Sequence, residues 1–175
     1  MSLLKIYTYK SNYLRRKSAP VLKITPEIVE FVNNMVDTLR SKPGLGLAAP
    51  QLGKNLRIIV IESRGLKDDD GNIIYEHIPL RVLINPNISN FSNEKVVMEE
   101  GCFSVPNLFG PVTRPKKIKA TALGIDGKTI KINASGLLAR VIQHENDHLD
   151  GIIFTDLIAD KKLLREVENE LDIEG

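Results

Sequence analysis

The segment Gln143-His144-Glu145-Asn146-Asp147-His148 holds two of the chain's three histidines, four positions apart. On a helix that spacing brings both imidazoles out of one face, so a single divalent metal can be gripped by two rings on a rigid rod. Leu137 and Val141 fall on the same face two turns and one turn earlier. The face is therefore expected to be buried, with the imidazoles pointing inward. Glu145 sits beside the first histidine. It can reach a water at such a metal without being a ligand, which suits a general base. Many metallohydrolases share His-Glu-x-x-His, so the unit points to metal chemistry without fixing the reaction.

Catalytic metal sites commonly use three protein ligands and keep one position open. The candidates for the third are Cys102, His77 and the downstream acids Glu166, Glu168 and Glu170. A lone cysteine is often only a small buried hydrophobe. The setting Glu100-Gly101-Cys102-Phe103-Ser104-Val105-Pro106 favours a ligand, because the glycine lets backbone approach closely and a metal would hold the sulfur as thiolate.

These residues need elements to carry them. Thr25 before Pro26 is a helix start, and Ile28, Phe31, Val32, Met35, Val36 and Leu39 recur at helical spacing. This predicts a helix over about 26–41, ended by Lys42-Pro43-Gly44. Residues 44–53 are rich in Gly, Ala and Pro and read as a tightly packed irregular segment. Strands are expected over 57–62, over 81–85 with Pro86 as the stop, and over 95–100. The polar stretch 63–79 reads as a long exposed loop or hairpin. Alternation from Lys116 to Asn133 around Asp126-Gly127 predicts a further hairpin. The metal-carrying helix spans about 135–149, with Ser135 as its cap and Gly151 as its end. A third amphipathic helix is expected over about 160–171, with Leu163, Leu164, Val167 and Leu171 on one face.

The fold class that follows is α+β. One domain over residues 1–175 is expected, with short, mostly antiparallel strands packed around a central metal-binding helix, plus an N-terminal and a C-terminal helix. A chain of 175 residues is long enough to bury a core without disulfides, and a single cysteine excludes a disulfide scaffold. Lys and Arg total 24 against 22 for Asp and Glu, a net charge of +2. That balance does not make a nucleic-acid binder. The chain has no Trp, which argues against a base-stacking surface. No signal or transit peptide and no membrane-length apolar run is visible, so a soluble, reducing compartment is expected.

Three segments, in order, resemble the signature motifs of peptide deformylases. They are Gly44-Leu45-Gly46-Leu47-Ala48-Ala49-Pro50-Gln51, Glu100-Gly101-Cys102-Phe103-Ser104, and Gln143-His144-Glu145-Asn146-Asp147-His148-Leu149-Asp150-Gly151. The resemblance implies removal of the formyl group from N-formylmethionine on newly made bacterial or organellar proteins. By that resemblance Cys102, His144 and His148 would bind the metal, usually Fe2+ in this family, with Zn2+, Ni2+ or Co2+ also able to occupy such a site. Glu145 would be the general acid and base. Gln51 and the backbone N–H of Phe103 would stabilise the oxyanion, and the backbone of Gly46 would hold the substrate chain. Leu45, Leu137 and Val141 are expected to line a methionine pocket as well as the core, and Glu100 to orient the site. The family's second motif commonly has leucine where this chain has Phe103.

Two other readings share some of these residues. A zinc endopeptidase would take a downstream acid such as Glu166 as its third ligand. A non-catalytic module would close a structural site with Cys102, His77, His144 and His148. Arg114, Lys116, Lys117 and Lys119 could support transient ribosome contact, although charge runs usually only solvate a strand face. The expected partners are N-formylmethionyl nascent peptides, with no membrane and no specific nucleic acid, in a bacterial cytoplasm.

Overall fold

The computed structural model describes residues 2–167. The first helix, α1, runs Pro26–Arg40, and the Thr25 side chain accepts a hydrogen bond from the Ile28 N–H at its start. The helix α2 runs Gly136–Leu149. The strands are β1 Gly46–Ala48, β2 Ile58–Lys67, β3 Ile73–Phe91, β4 Lys95–Cys102, β5 Val105–Pro115, β6 Lys117–Leu123, β7 Thr129–Ser135 and β8 Arg165–Glu166. They form a five-stranded sheet in the order β1-β2-β3-β6-β7 and a three-stranded sheet in the order β4-β5-β8. Every strand pair is antiparallel.

The apolar run at the start of β2 shows why the larger sheet sits where it does. Ile58 and Val60 join α1 residues Phe31, Val32, Met35 and Leu39 in one cluster. Ile59 and Ile61 join α2 residues Ala139, Val141, Ile142 and Leu149 in another. A strand covered on both faces needs consecutive rather than alternating apolar residues. At β6 only one face is covered, and Ile118, Ala120 and Ala122 alternate with exposed Lys117, Lys119 and Thr121. The helix α2 thus lies on the larger sheet and also touches β5 of the smaller one. A third cluster, with Leu14, Val105, Val112, Ile153, Phe154 and Ile158, fills the space beneath the smaller sheet, and Cys102 packs against it.

The stretch 63–79 takes the hairpin form of its expectation, built by β2 and β3, and its turn is held by the Asp68 carboxylate accepting from the Asp70 and Asn72 N–H groups. Three sequence expectations change. Pro86 does not stop its strand. The β3–β6 register shifts between Ile84 and Asn87, and Asn85 takes a positive φ of 52°. Proline is tolerated there because the irregularity needs no ladder hydrogen bond from it. The Asn85 side chain also clamps the Val21 backbone, accepting from its N–H and donating to its carbonyl. Ser135 occupies the N-cap of α2 in an extended conformation, but its side chain makes no capping bond. Finally, a helix over 160–171 does not form in its described part. Lys161–Leu163 is a single 3-10 turn capped by Asp160, and β8 follows, pairing Leu108 with Glu166. Residues 168–171 of that expectation lie outside the described residues.

Candidate metal centre

Helix α2 supplies His144, Glu145 and His148 on its inner side, and its last turn is closed by Asp150 and by Gly151 at a φ of 77°. A left-handed residue at that point suits glycine. Arg57 of the neighbouring strand segment donates to Asp150 at 2.7 Å and to Asn146 at 3.0 Å, pinning the same end. Strand β4 delivers Cys102 at its terminus, where the β4–β5 register slips between Gly101 and Cys102. Gly101 is required sterically, because a Cβ there would collide with the Phe109 ring.

The ligand atoms of Cys102, His144 and His148 lie within 4.8 Å of one another. The Cys102 Sγ is 3.2 Å from His148 Nε2. Burial works against the Cys102 thiolate, yet the imidazoles of His148 and His144 outweigh it and hold the thiol well below its usual range. Burial also works against a charged His144, but its hydrogen bonds with Cys102 and Glu100 hold it well above the ordinary histidine range. A soft thiolate and two imidazoles gathered in one place form a donor set that fits a divalent transition metal.

Glu100 sets the orientation of His144. It is buried, and His144 Nδ1 lies 2.8 Å from its Oε2. Burial raises the Glu100 carboxyl, but His144 and Arg114 outweigh that and hold it below the carboxylate range. An ionised carboxylate only accepts, so His144 Nδ1 donates to Glu100, and Nε2 is the nitrogen that a metal would take in place of a proton. Three further donors satisfy Glu100: Arg114 Nε at 2.6 Å, Arg114 Nη2 at 3.0 Å and Arg140 Nη1 at 2.9 Å. Arg114 also donates to Asp147 at 2.7 Å. Arg140 donates to the carbonyls of Val112 and Val96, tying α2 to β5 and β4 of the smaller sheet. Arg114 is therefore a buried partner of Glu100 and Asp147, not part of an exposed basic face.

Glu145 is buried, and its Oε2 has no hydrogen-bond partner among the described residues. Burial pushes its carboxyl up to about 7. An orphaned buried carboxylate oxygen beside a thiolate and two imidazoles is what a missing water or ligand would leave. His148 Nδ1 is likewise buried without a partner among the described residues. Gly46 on β1 lies directly against Glu145, since a Cβ at position 46 would fall 2.5 Å from Glu145 Oε1.

Gln51 is buried in the 3-10 turn Ala49–Leu52 that follows β1. Its Oε1 accepts from the Ala48 N–H at 2.8 Å, and its Nε2 lies 3.4 Å from Cys102 Sγ and 3.2 Å from Ser104 Oγ. The Phe103 backbone lies between Cys102 and Ser104, while its ring packs over Gly44 and joins the α1 cluster. Leu45, Leu137 and Val141 meet in the cluster between α2 and the larger sheet. His77 and Glu166 are exposed, on β3 and β8, outside the cysteine–histidine group. Glu168 and Glu170 lie outside the described residues.

Sequence reasoning missed Ser104, Arg140 and Asp147, and misplaced Arg114. Two signals were available. Gly110, Val112 and Arg114 are buried alternately on β5, so Arg114 shares the inward side. Arg140 lies one helical turn before His144, on a helix that must bury that side and therefore needs an anion to meet it.

The polypeptide deformylase family profile matches residues 3–163. A peptide deformylase of Salinibacter ruber is 37% identical over 173 residues, covering 97% of this chain and 88% of the relative. One from Desulforudis audaxviator is 42% identical over 156 residues, covering 89% and 94%. The crystal structure of peptide deformylase from Ehrlichia chaffeensis superposes with a TM-score of 0.81 at 38% identity, covering 92% of this chain and 90% of that one.

Proposed function

The chain belongs to the polypeptide deformylase family, and from that premise we propose how its residues divide the work of removing the formyl group from the amino terminus of nascent peptides. The reaction is hydrolysis of a linear amide, with formate and a free amino terminus as products. It depends on one divalent metal, and the reading assigns that metal to Cys102, His144 and His148. When bound, the metal acidifies water at the site and polarises the formyl carbonyl.

Glu145 takes the proton that the attacking water gives up and returns it to the amine as the C–N bond breaks. A carboxyl pushed up to about 7 is matched to taking and returning a proton near neutral pH. Negative charge grows on the formyl oxygen, and Gln51 Nε2 and the Phe103 N–H are assigned to receive it. Gly46 supplies room for Glu145 and backbone for the substrate chain. Leu45, Leu137 and Val141 are assigned to the methionine side chain. Residues 1–175 are read as one catalytic unit.

The single observation that carries this reading is the unpartnered, buried Glu145 carboxylate beside the cysteine–histidine group. The endopeptidase alternative loses Glu166 as its third ligand, because that residue is exposed on β8, outside the cysteine–histidine group.

We assign Fe2+ as the native metal and a bacterial cytoplasm as the place of action. The bacterial relatives support the second assignment. Exposed Lys117 and Lys119 on β6 support transient ribosome contact, which co-sedimentation with and without Lys117→Glu and Lys119→Glu would test. Among the described residues no helix is long and apolar enough to cross a membrane.

The test is formate release from a short formyl-Met peptide by protein prepared anaerobically with Fe2+. Turnover that decays in air supports iron, since ferrous iron and a thiolate are both oxidisable. Turnover that survives prolonged aeration overturns the iron assignment, and no formate from folded, metal-loaded protein overturns the reaction.

A further inference from the structure

Gln51 has more partners than its assigned task allows, and the surplus identifies another residue. The Ala48 N–H can only donate, so the atom 2.8 Å away must be the Gln51 carbonyl oxygen. The amide orientation is thereby fixed by chemistry rather than by choice. Its Nε2 carries two protons. One faces Ser104 Oγ at 3.2 Å and the other faces Cys102 Sγ at 3.4 Å. Both are engaged, so one must be released before Gln51 can donate to a growing oxyanion. Sulfur is the weaker acceptor and lies in the metal group itself.

Ser104 is fully buried, so its hydroxyl competes with no bulk water for that amide proton. Its backbone N–H also points at Cys102 Sγ, at 3.4 Å. The segment 7–9 ties the two residues together from outside. Tyr7 N–H donates to the backbone carbonyl of Gln51 at 2.8 Å, and Tyr9 N–H donates to the backbone carbonyl of Ser104 at 2.7 Å.

We propose that Ser104 is a positioning residue, whose hydroxyl retains one amide proton of Gln51 so that the other is presented first to the Cys102 sulfur and then to the formyl oxygen. The proposal rests on the oxyanion role assigned to Gln51. Without the hydroxyl the amide keeps one anchor, the Ala48 N–H, and its nitrogen end is free to turn away from both sulfur and substrate.

The experiment compares Ser104→Ala, Gln51→Ala and the double variant by formate release. Each is also loaded with Co2+, and the thiolate-to-cobalt absorption is recorded. Losing an oxyanion donor lowers kcat by about 10²–10³, which is the expectation for Gln51→Ala. Ser104→Ala is expected to lower kcat about tenfold with KM within about twofold, a loss of the size of one hydrogen bond. The double variant should be no slower than Gln51→Ala alone. The cobalt band of Ser104→Ala should move to lower energy, toward that of Gln51→Ala, because the sulfur loses an N–H donor in both. Additive losses in kcat, or a band that does not move in folded Ser104→Ala, would overturn the proposal. The band is read without substrate, so it decides the Ser104 role even if the unaltered chain releases no formate, a result that would sink the deformylase reading separately.

Discussion

Replacing Gly46 with alanine probes how closely β1 approaches the proposed proton carrier. Gly46 is absent from the glycines with positive φ, so alanine is compatible with its backbone. The new Cβ would sit 2.5 Å from Glu145 Oε1 and 2.8 Å from its Cδ and Cγ. Ordinary carbon contacts lie at about 3.5–4.0 Å, so the carboxylate must retreat by about 1 Å. Misplacing a reacting group by that much costs on the order of 10²-fold in rate. Stability should change far less. Overpacking costs about 1–3 kcal/mol, while the stiffer unfolded chain returns about 0.4–1 kcal/mol. The expected variant is folded, keeps one metal per chain and has kcat about 10² lower. In a Glu145→Ala background, where the obstructed side chain is gone, the same substitution should be neutral or stabilising. Formate release, metal analysis and chemical denaturation of the four proteins complete the cycle. A Gly46→Ala enzyme with kcat within threefold of the unaltered chain would refute the reasoning.

Glu100→Gln leaves the buried Arg140 guanidinium without its anion and the buried Arg114 guanidinium with Asp147 alone. It should destabilise the fold by about 3–5 kcal/mol in denaturant titrations and weaken metal retention against a chelator by roughly 10–100-fold through misoriented His144. The Arg40 hydrogen bond, with burial opposing, lowers the Glu62 carboxyl below its ordinary value. Its contribution is therefore full above the unfolded pKa near 4.5 and is lost as pH falls through the lowered folded value. The stability gap between Glu62→Gln and the unaltered chain should accordingly close below about pH 4 in acid titrations, and a gap that widened there would reverse the sign. Cys102→Ser should abolish tight metal binding and turnover, whereas Glu166→Ala should leave both intact; the opposite pattern would restore the endopeptidase reading.

Much of the site was legible because its chemistry is local in sequence. His144 and His148 declare themselves by spacing, and Cys102 by its glycine neighbour. The two helices were legible for the same reason, α1 through its Thr25 cap and apolar period and α2 through the spacing of its inward residues, since both signals act over single turns. Residues whose role depends on distant partners were not. Arg114 reads as one more basic residue until β5 brings it to Glu100, fourteen positions earlier, and to Asp147 on α2. Ser104 has no meaning until the turn after β1 places Gln51 beside it. Pro86 ends a strand by local rules, but Asn85 and the register shift carry the strand past it. Leu163 and Leu164 suit a helix locally. The chain there instead turns at Lys161–Leu163 and offers β8 to the edge of β5, where pairing overrides propensity.

Glu145→Gln is the most direct measurement of the central claim. It preserves the shape of the side chain and removes only its capacity to take and return a proton. The expected enzyme folds, holds one metal per chain, and releases formate from a formyl-Met peptide about 10²–10⁴-fold more slowly. Undiminished formate release with full metal content would contradict the assignment of the proton to Glu145.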